Sequence, residues 1–187
     1  MATSLRLDRL LFVDLELTCW RGPPPEGEGS EIIEIGLAEV DAADLRLTRS
    51  GRYLVRPERS TVSDYCTELT GITPADLRAH GRPLAQVLGS LRKDWGPGRK
   101  AWYAWGADRL LLDEAVMVAD LPGGHPFSPG FVDLAQLYTT LHGCGQRVAL
   151  EDALAREGLE PEGRRHSAEG DAVDAARLWM HLAGRLR

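Results

Sequence analysis

The stretch LLFVDLEL, Leu10 to Leu17, is short, apolar and β-favouring, as a central strand requires. Asp14 and Glu16 interrupt it, and their spacing of two puts both side chains on one face of the strand. Downstream, proline and glycine in RGPPPEGEGS (21–30) forbid regular structure. EIIEIGLAEV (31–40) then resumes as a second strand, DAADL turns the chain, and LTRSGRYLVRP returns it as a third strand ending at Pro57. Three strands joined by short links predict an antiparallel meander.

Helical signals follow. Ser63 can cap SDYCTELTG, which stops at Gly71, and Thr73 with Pro74 opens a second short helix in TPADL. PLAQVLGSLRKDW carries apolar residues at 84, 87, 88 and 91, a helical stripe. KAWYAW (100–105) reads as a fourth strand, followed by the helical DRLLLDEAVMVA. GFVDLAQLYTTLHG reads as a short fifth strand entering a helix, ALEDALAREG as a helix capped by Gly158, and the spacing predicts a last helix over 171–186. The expectation is one α/β domain over 1–187: a mixed five-stranded sheet, a meander plus two further strands, flanked by helices.

A chain of 187 residues can bury a sizeable core, and 43% hydrophobic with 27% charged residues argues against disorder. No apolar run approaches the roughly 20 residues of a membrane helix. Asp14 and Glu16 also spoil the early apolar run as a signal core, so a cytoplasmic protein without a membrane partner is expected. Cys19, Cys66 and Cys144 form no CxxC pair, which predicts reduced thiols rather than a zinc site or a disulfide framework. A net charge of -6 speaks against nonspecific coating of nucleic acid through many phosphate contacts. It leaves room for an enzyme gripping a few phosphates. All the basic residues except Lys93 and Lys100 are arginine, which suits bidentate phosphate contacts.

Two carboxylates on one face of a central strand are costly when desolvated and repel each other. A hard divalent cation such as Mg²⁺, which takes oxygen ligands, resolves both problems. Asp108 follows the fourth strand through Gly106 and opens the next helix, a place where an Asp by itself is a routine cap. His166 precedes the last helix, and Asp171 sits five residues later. Each alone is an ordinary helix-start residue. Their joint occurrence in an α/β chain is far more specific.

FVDLELTCW, SEIIEIGLAEVD, CTELTGIT and EGRRHSAEGDAVDAARL together resemble the signature segments of the DEDDh 3′→5′ exonucleases, from about Leu10 to Leu182. The resemblance is nearest to the branch acting on RNA 3′ ends, which includes the histone-mRNA exonuclease and the KapD, or sporulation-inhibitor, type. It implies a ribonuclease H-like fold, and Asp14, Glu16, Asp108 and Asp171 as ligands of two Mg²⁺ or Mn²⁺ ions. His166 becomes the general base, a role its ordinary pKa near 6.5 suits. The implied reaction hydrolyses RNA or single-stranded nucleic acid from its 3′ end to nucleoside 5′-monophosphates. By the same resemblance Leu15, Leu17 and Thr18 lie near the terminal nucleotide. Trp20 is a candidate for stacking on a base, and Arg164 and Arg165 are candidates for phosphate contact.

Many relatives place one more residue between the glycine and the third acid than WGAD does, which leaves Asp113 as the alternative to Asp108. Gly170 replaces a common acid, and Asp174 stands where Asn is frequent. A proofreading or repair-type DNA exonuclease, and a catalytically silent nucleic-acid or protein-binding domain, are the competing readings. Monomer and homodimer both stay open.

Overall fold

A computed structural model describes residues 4–162 and 164–186. Among these residues five strands form one sheet: β1 (Arg6–Leu17), β2 (Ile32–Asp41), β3 (Arg46–Leu54), β4 (Lys100–Ala104) and β5 (Phe131–Asp133). Their order is β3-β2-β1-β4-β5, with the predicted meander β1-β2-β3 antiparallel and β4 and β5 added in parallel on the other side of β1. Among the described residues seven α-helices follow the chain: α1 (Asp64–Thr70), α2 (Pro74–His80), α3 (Leu84–Trp95), α4 (Asp108–Val118), α5 (Leu134–Leu141), α6 (Leu150–Arg156) and α7 (Ala168–Arg185). None of the described helices is long and apolar enough to cross a membrane.

Alternation along β1 divides the core. Leu11, Val13 and Leu15 face α3 and α4, meeting Val87, Leu91, Leu112 and Trp102. Leu10 and Phe12 face α7, meeting Ala172, Val173 and Ala176. Helices therefore cover both faces of the sheet, and β1 is central, as its apolar composition requires.

Local signals account for the short helices. The Ser63 hydroxyl accepts the Cys66 N–H, and Gly71 ends α1 in the left-handed region at φ 73°. Thr73 and Asp76 form a reciprocal capping box, with Pro74 at the first position of α2. The last helix begins at Ala168 rather than 171, with Ser167 as its cap residue but no side-chain capping bond from it. Glu34, 134 positions earlier, supplies the missing acceptor: its Oε2 takes the Ala168 N–H at 2.9 Å.

Candidate active site

On β1, Asp14 and Glu16 share the α7 face with Phe12, and in register they stand beside Gly36 and Glu34 of β2. β4 pairs with β1 only as far as Phe12↔Tyr103. Past that point this edge of β1 is open, and α4 enters there with Asp108 as its first residue. Backbone N–H groups of Leu15 and of Asp108 itself favour the ionised Asp108 carboxylate.

The fourth acid arrives on α7, which lies directly on β2. A Cβ on Gly36 would overlap the Ala168 carbonyl, so only glycine lets the helix start come this close. Glu34 is fully buried, and between the Ala168 N–H and the Arg52 guanidinium (3.1 Å) both its oxygens are engaged. Ser50 on β3 donates to Glu169 at 2.6 Å, a further tie between the helix start and the sheet. Asp171 then sits in the first turn.

His166 precedes the helix at φ 56°, in the left-handed region that non-glycine residues seldom occupy. One ligand atom each from Glu16, His166 and Asp171 lies within 4.8 Å of the other two. A cleft of about 230 Å³ is lined by Asp14, His166 and Asp171 together with Trp105, Glu151 and Arg165. A larger cavity of about 580 Å³ includes Leu17 but none of the four acids or His166.

Electrostatics mark the cluster as charge-frustrated. Burial pushes the Glu16 carboxyl up to about 8, with Asp171, Glu34 and Asp108 adding repulsion. Asp14 is raised well above the carboxylate range by burial and by Asp108, Asp171 and Glu16. Asp108 and Asp171 each rise to about 6, mainly through burial. His166 is lowered by burial and by the neighbouring Arg165, which favours its neutral form. Buried carboxylates that repel one another in this way favour a nearby positive charge. An all-oxygen acidic set is the donor chemistry of a hard divalent ion, and these residues fit one.

The five candidates Asp14, Glu16, Asp108, His166 and Asp171 are thus brought together. Asp113 is not among them: it is half exposed and paired with His125 at 3.0 Å and Arg109 at 3.6 Å. Asp174 turns to the loop before α7, accepting the Glu162 N–H at 2.9 and 3.1 Å and the Arg177 guanidinium at 2.7 Å. Arg165 pairs with Glu151. Leu15 directs its side chain into the core on the opposite face, and the Thr18 hydroxyl is occupied by the Gly29 carbonyl and the Glu31 N–H. Any contact from these two to a nucleotide falls to their backbone. Only Leu17 of the three borders open space, in the larger cavity.

Sequence reasoning missed Glu34 and Gly36. The signal for Glu34 was available, since an acid inside IIEIG is the anomaly that singles out Asp14 and Glu16.

A family model described as Exonuclease matches residues 11–93. The human 3′-5′ exoribonuclease 1 is 29% identical, covering 94% of this chain and 52% of its own length. The chain therefore spans about half the length of that curated relative. Among solved structures, the nuclease domain of 3′hExo, a DEDDh family member bound to rAMP, superposes with a TM-score of 0.84 at 24% identity, covering 97% of this chain and 94% of that one. A full-length 3′-exonuclease gives 0.83 at 26% identity, covering 99% and 63%. This superposition and the mixed five-stranded sheet flanked by helices are those of a ribonuclease H-like fold.

Proposed function

We propose, from the match of residues 11–93 to the exonuclease family model and the likeness to named exoribonucleases, that the chain is a metal-dependent 3′→5′ exonuclease. It would release nucleoside 5′-monophosphates from the 3′ ends of RNA or single-stranded nucleic acid. The observation that carries this reading is the clustering of Asp14, Glu16, Asp108 and Asp171 closely enough to repel one another, with Asp14, Asp171 and His166 lining one cleft and Glu16 beside His166 and Asp171. RNA is the favoured substrate, because relatives matching nearly the whole chain are named exoribonucleases.

Asp14, Glu16, Asp108 and Asp171 would hold two Mg²⁺ or Mn²⁺ ions. When bound, such ions acidify water and neutralise charge on the phosphoryl group. The chain's own contribution is placement and proton handling. Four carboxylates on three separate elements, two from β1 and one each from α4 and α7, fix where the phosphate must lie. His166, kept neutral by burial and Arg165, accepts the proton from the attacking water at Nδ1 or Nε2. Arg165 lines the same cleft and supplies positive charge beside the acids.

A 5′-labelled single-stranded RNA and its DNA counterpart, each with Mg²⁺ and then Mn²⁺, test the proposal by the ladder they yield. The expected result is stepwise shortening from the 3′ end, faster on RNA. Asp14→Asn should abolish it while the melting transition stays cooperative, and full activity in that variant would overturn the assignment. Faster turnover of DNA would favour a proofreading-type enzyme instead. Binding of either strand without hydrolysis would favour a silent binding domain.

A further inference from the structure

We propose that Arg164 is a positioning residue: seated on the C-terminal end of α1 over Gly71, its guanidinium holds the loop that carries His166. The loop is pinned at both ends, by the Glu162 N–H on Asp174 and by the Ala168 N–H on Glu34. Between these pins His166 takes a left-handed conformation that a non-glycine residue adopts only when its surroundings impose it.

Arg164 reaches away from the loop to α1. Its Nη2 donates to the carbonyls of Glu68 at 3.2 Å and Leu69 at 3.4 Å. These are last-turn carbonyls of α1, which a helix leaves without intrahelical partners, and a cation is favourable at that end. Gly71 makes the seat possible. A Cβ at this position would overlap Arg164 Nη1, so the glycine that ends α1 also admits the guanidinium. From below, Gly170 supports the same residue: a Cβ there would stand 3.2 Å from the Arg164 carbonyl, tighter than packing normally allows. The charge so placed also favours the ionised form of Glu16.

The seat joins two segments that the hydrolytic site does not otherwise connect. ELTGIT ends one helix and begins the next, and RRHSAEGD carries the His and the last acid. An Arg164 engaged with two backbone carbonyls is committed to the protein rather than to a phosphate of the substrate. Its loss should therefore misplace His166 without weakening the grip on nucleic acid.

The kinetic part of the test rests on the exonuclease reading; the structural part does not. Arg164→Ala, Gly71→Ala and the double variant are compared with the wild type on single-stranded RNA. A second substrate is the p-nitrophenyl ester of thymidine 5′-monophosphate, which has no upstream phosphates. Hydrogen exchange of the amides from 164 to 168 is followed in parallel. Both single variants should lower kcat by about 10–100-fold on both substrates, as expected of a misplaced catalytic group, with KM within about twofold. Exchange in the loop should quicken in each, and the double variant should be no worse than Arg164→Ala. Arg164→Lys, which can reach one carbonyl but lacks the fork, should recover part of kcat.

A higher KM confined to RNA, with kcat and loop exchange unchanged, would make Arg164 a phosphate contact and overturn the proposal. So would multiplied losses in the double variant. A wild type inactive on every substrate would sink the exonuclease reading, whereas faster loop exchange in Arg164→Ala would still support the seat. Because Arg164 is exposed, its replacement tests the proposal even if Gly71→Ala fails to fold.

Discussion

His166 combines a left-handed backbone, a ring within reach of Glu16 and Asp171, and a pKa held below the ordinary histidine value by burial and Arg165. A general base works in its neutral form, so activity should rise with pH through a His166 pKa that lies below the ordinary histidine value. His166→Ala should lower kcat by about 10²–10⁴-fold, the usual contribution of a positioned base. A pH profile of kcat/KM should show that acid limb in the wild type and not in the variant; an unchanged limb would assign it elsewhere. At this scale the acids were legible in the sequence because a carboxylate inside an apolar strand is energetically out of place. The fates of Thr18 and Arg164 were not. A hydroxyl closed onto Gly29 and Glu31 and a guanidinium seated on α1 depend on partners brought together only by the tertiary fold.

The start of α7 shows the same division among elements. Its apolar spacing identified the helix, but its first turn rests on Glu34 and Gly36 of β2, so the spacing alone placed the boundary at 171 instead of Ala168. By contrast, α1 and α2 carry their caps within their own segments, so both ends of α1 and the start of α2 were readable. β5 is only three residues long, yet GFVDLAQLYTTLHG reads as a short strand running into a helix, and in the structure Asp133 caps that helix, α5. Gly36 is the place to test how tightly α7 is registered on the sheet. Gly36→Ala puts a methyl group into the Ala168 backbone, and overpacking of this kind costs about 1–3 kcal/mol. A lower melting temperature should accompany a loss of activity larger than the stability change explains, because Asp171 and His166 ride on the displaced segment. A melting curve and rate equal to the wild type would mean that α7 can shift without cost.

For the molecule as a whole, the acidic cluster exchanges stability against charge. Asp14, Glu16, Asp108 and Asp171 all have folded-state pKa values above their ordinary ones, with Glu16 at about 8 and Asp108 and Asp171 at about 6. Between the ordinary carboxylate range and about 8, the folded chain therefore binds more protons than the unfolded chain. Stability contributed by these groups must fall as pH rises through that window. A divalent cation that binds the ionised cluster reverses the trend, since it stabilises the folded state alone. With a chelator present, the melting temperature should be lower at pH 8 than at pH 5. Adding Mg²⁺ or Mn²⁺ at about 100 times its dissociation constant should raise it by roughly 5–10 °C at pH 8 and by much less at pH 5. Asp14→Asn removes one repelling charge from the cluster. It should raise the chelated melting temperature at pH 8 while shrinking the gain on adding metal. Thermal melts of both proteins at the two pH values decide the matter: equal gains at pH 5 and pH 8, or a gain undiminished in the variant, would separate the cluster's charge from any ion it holds.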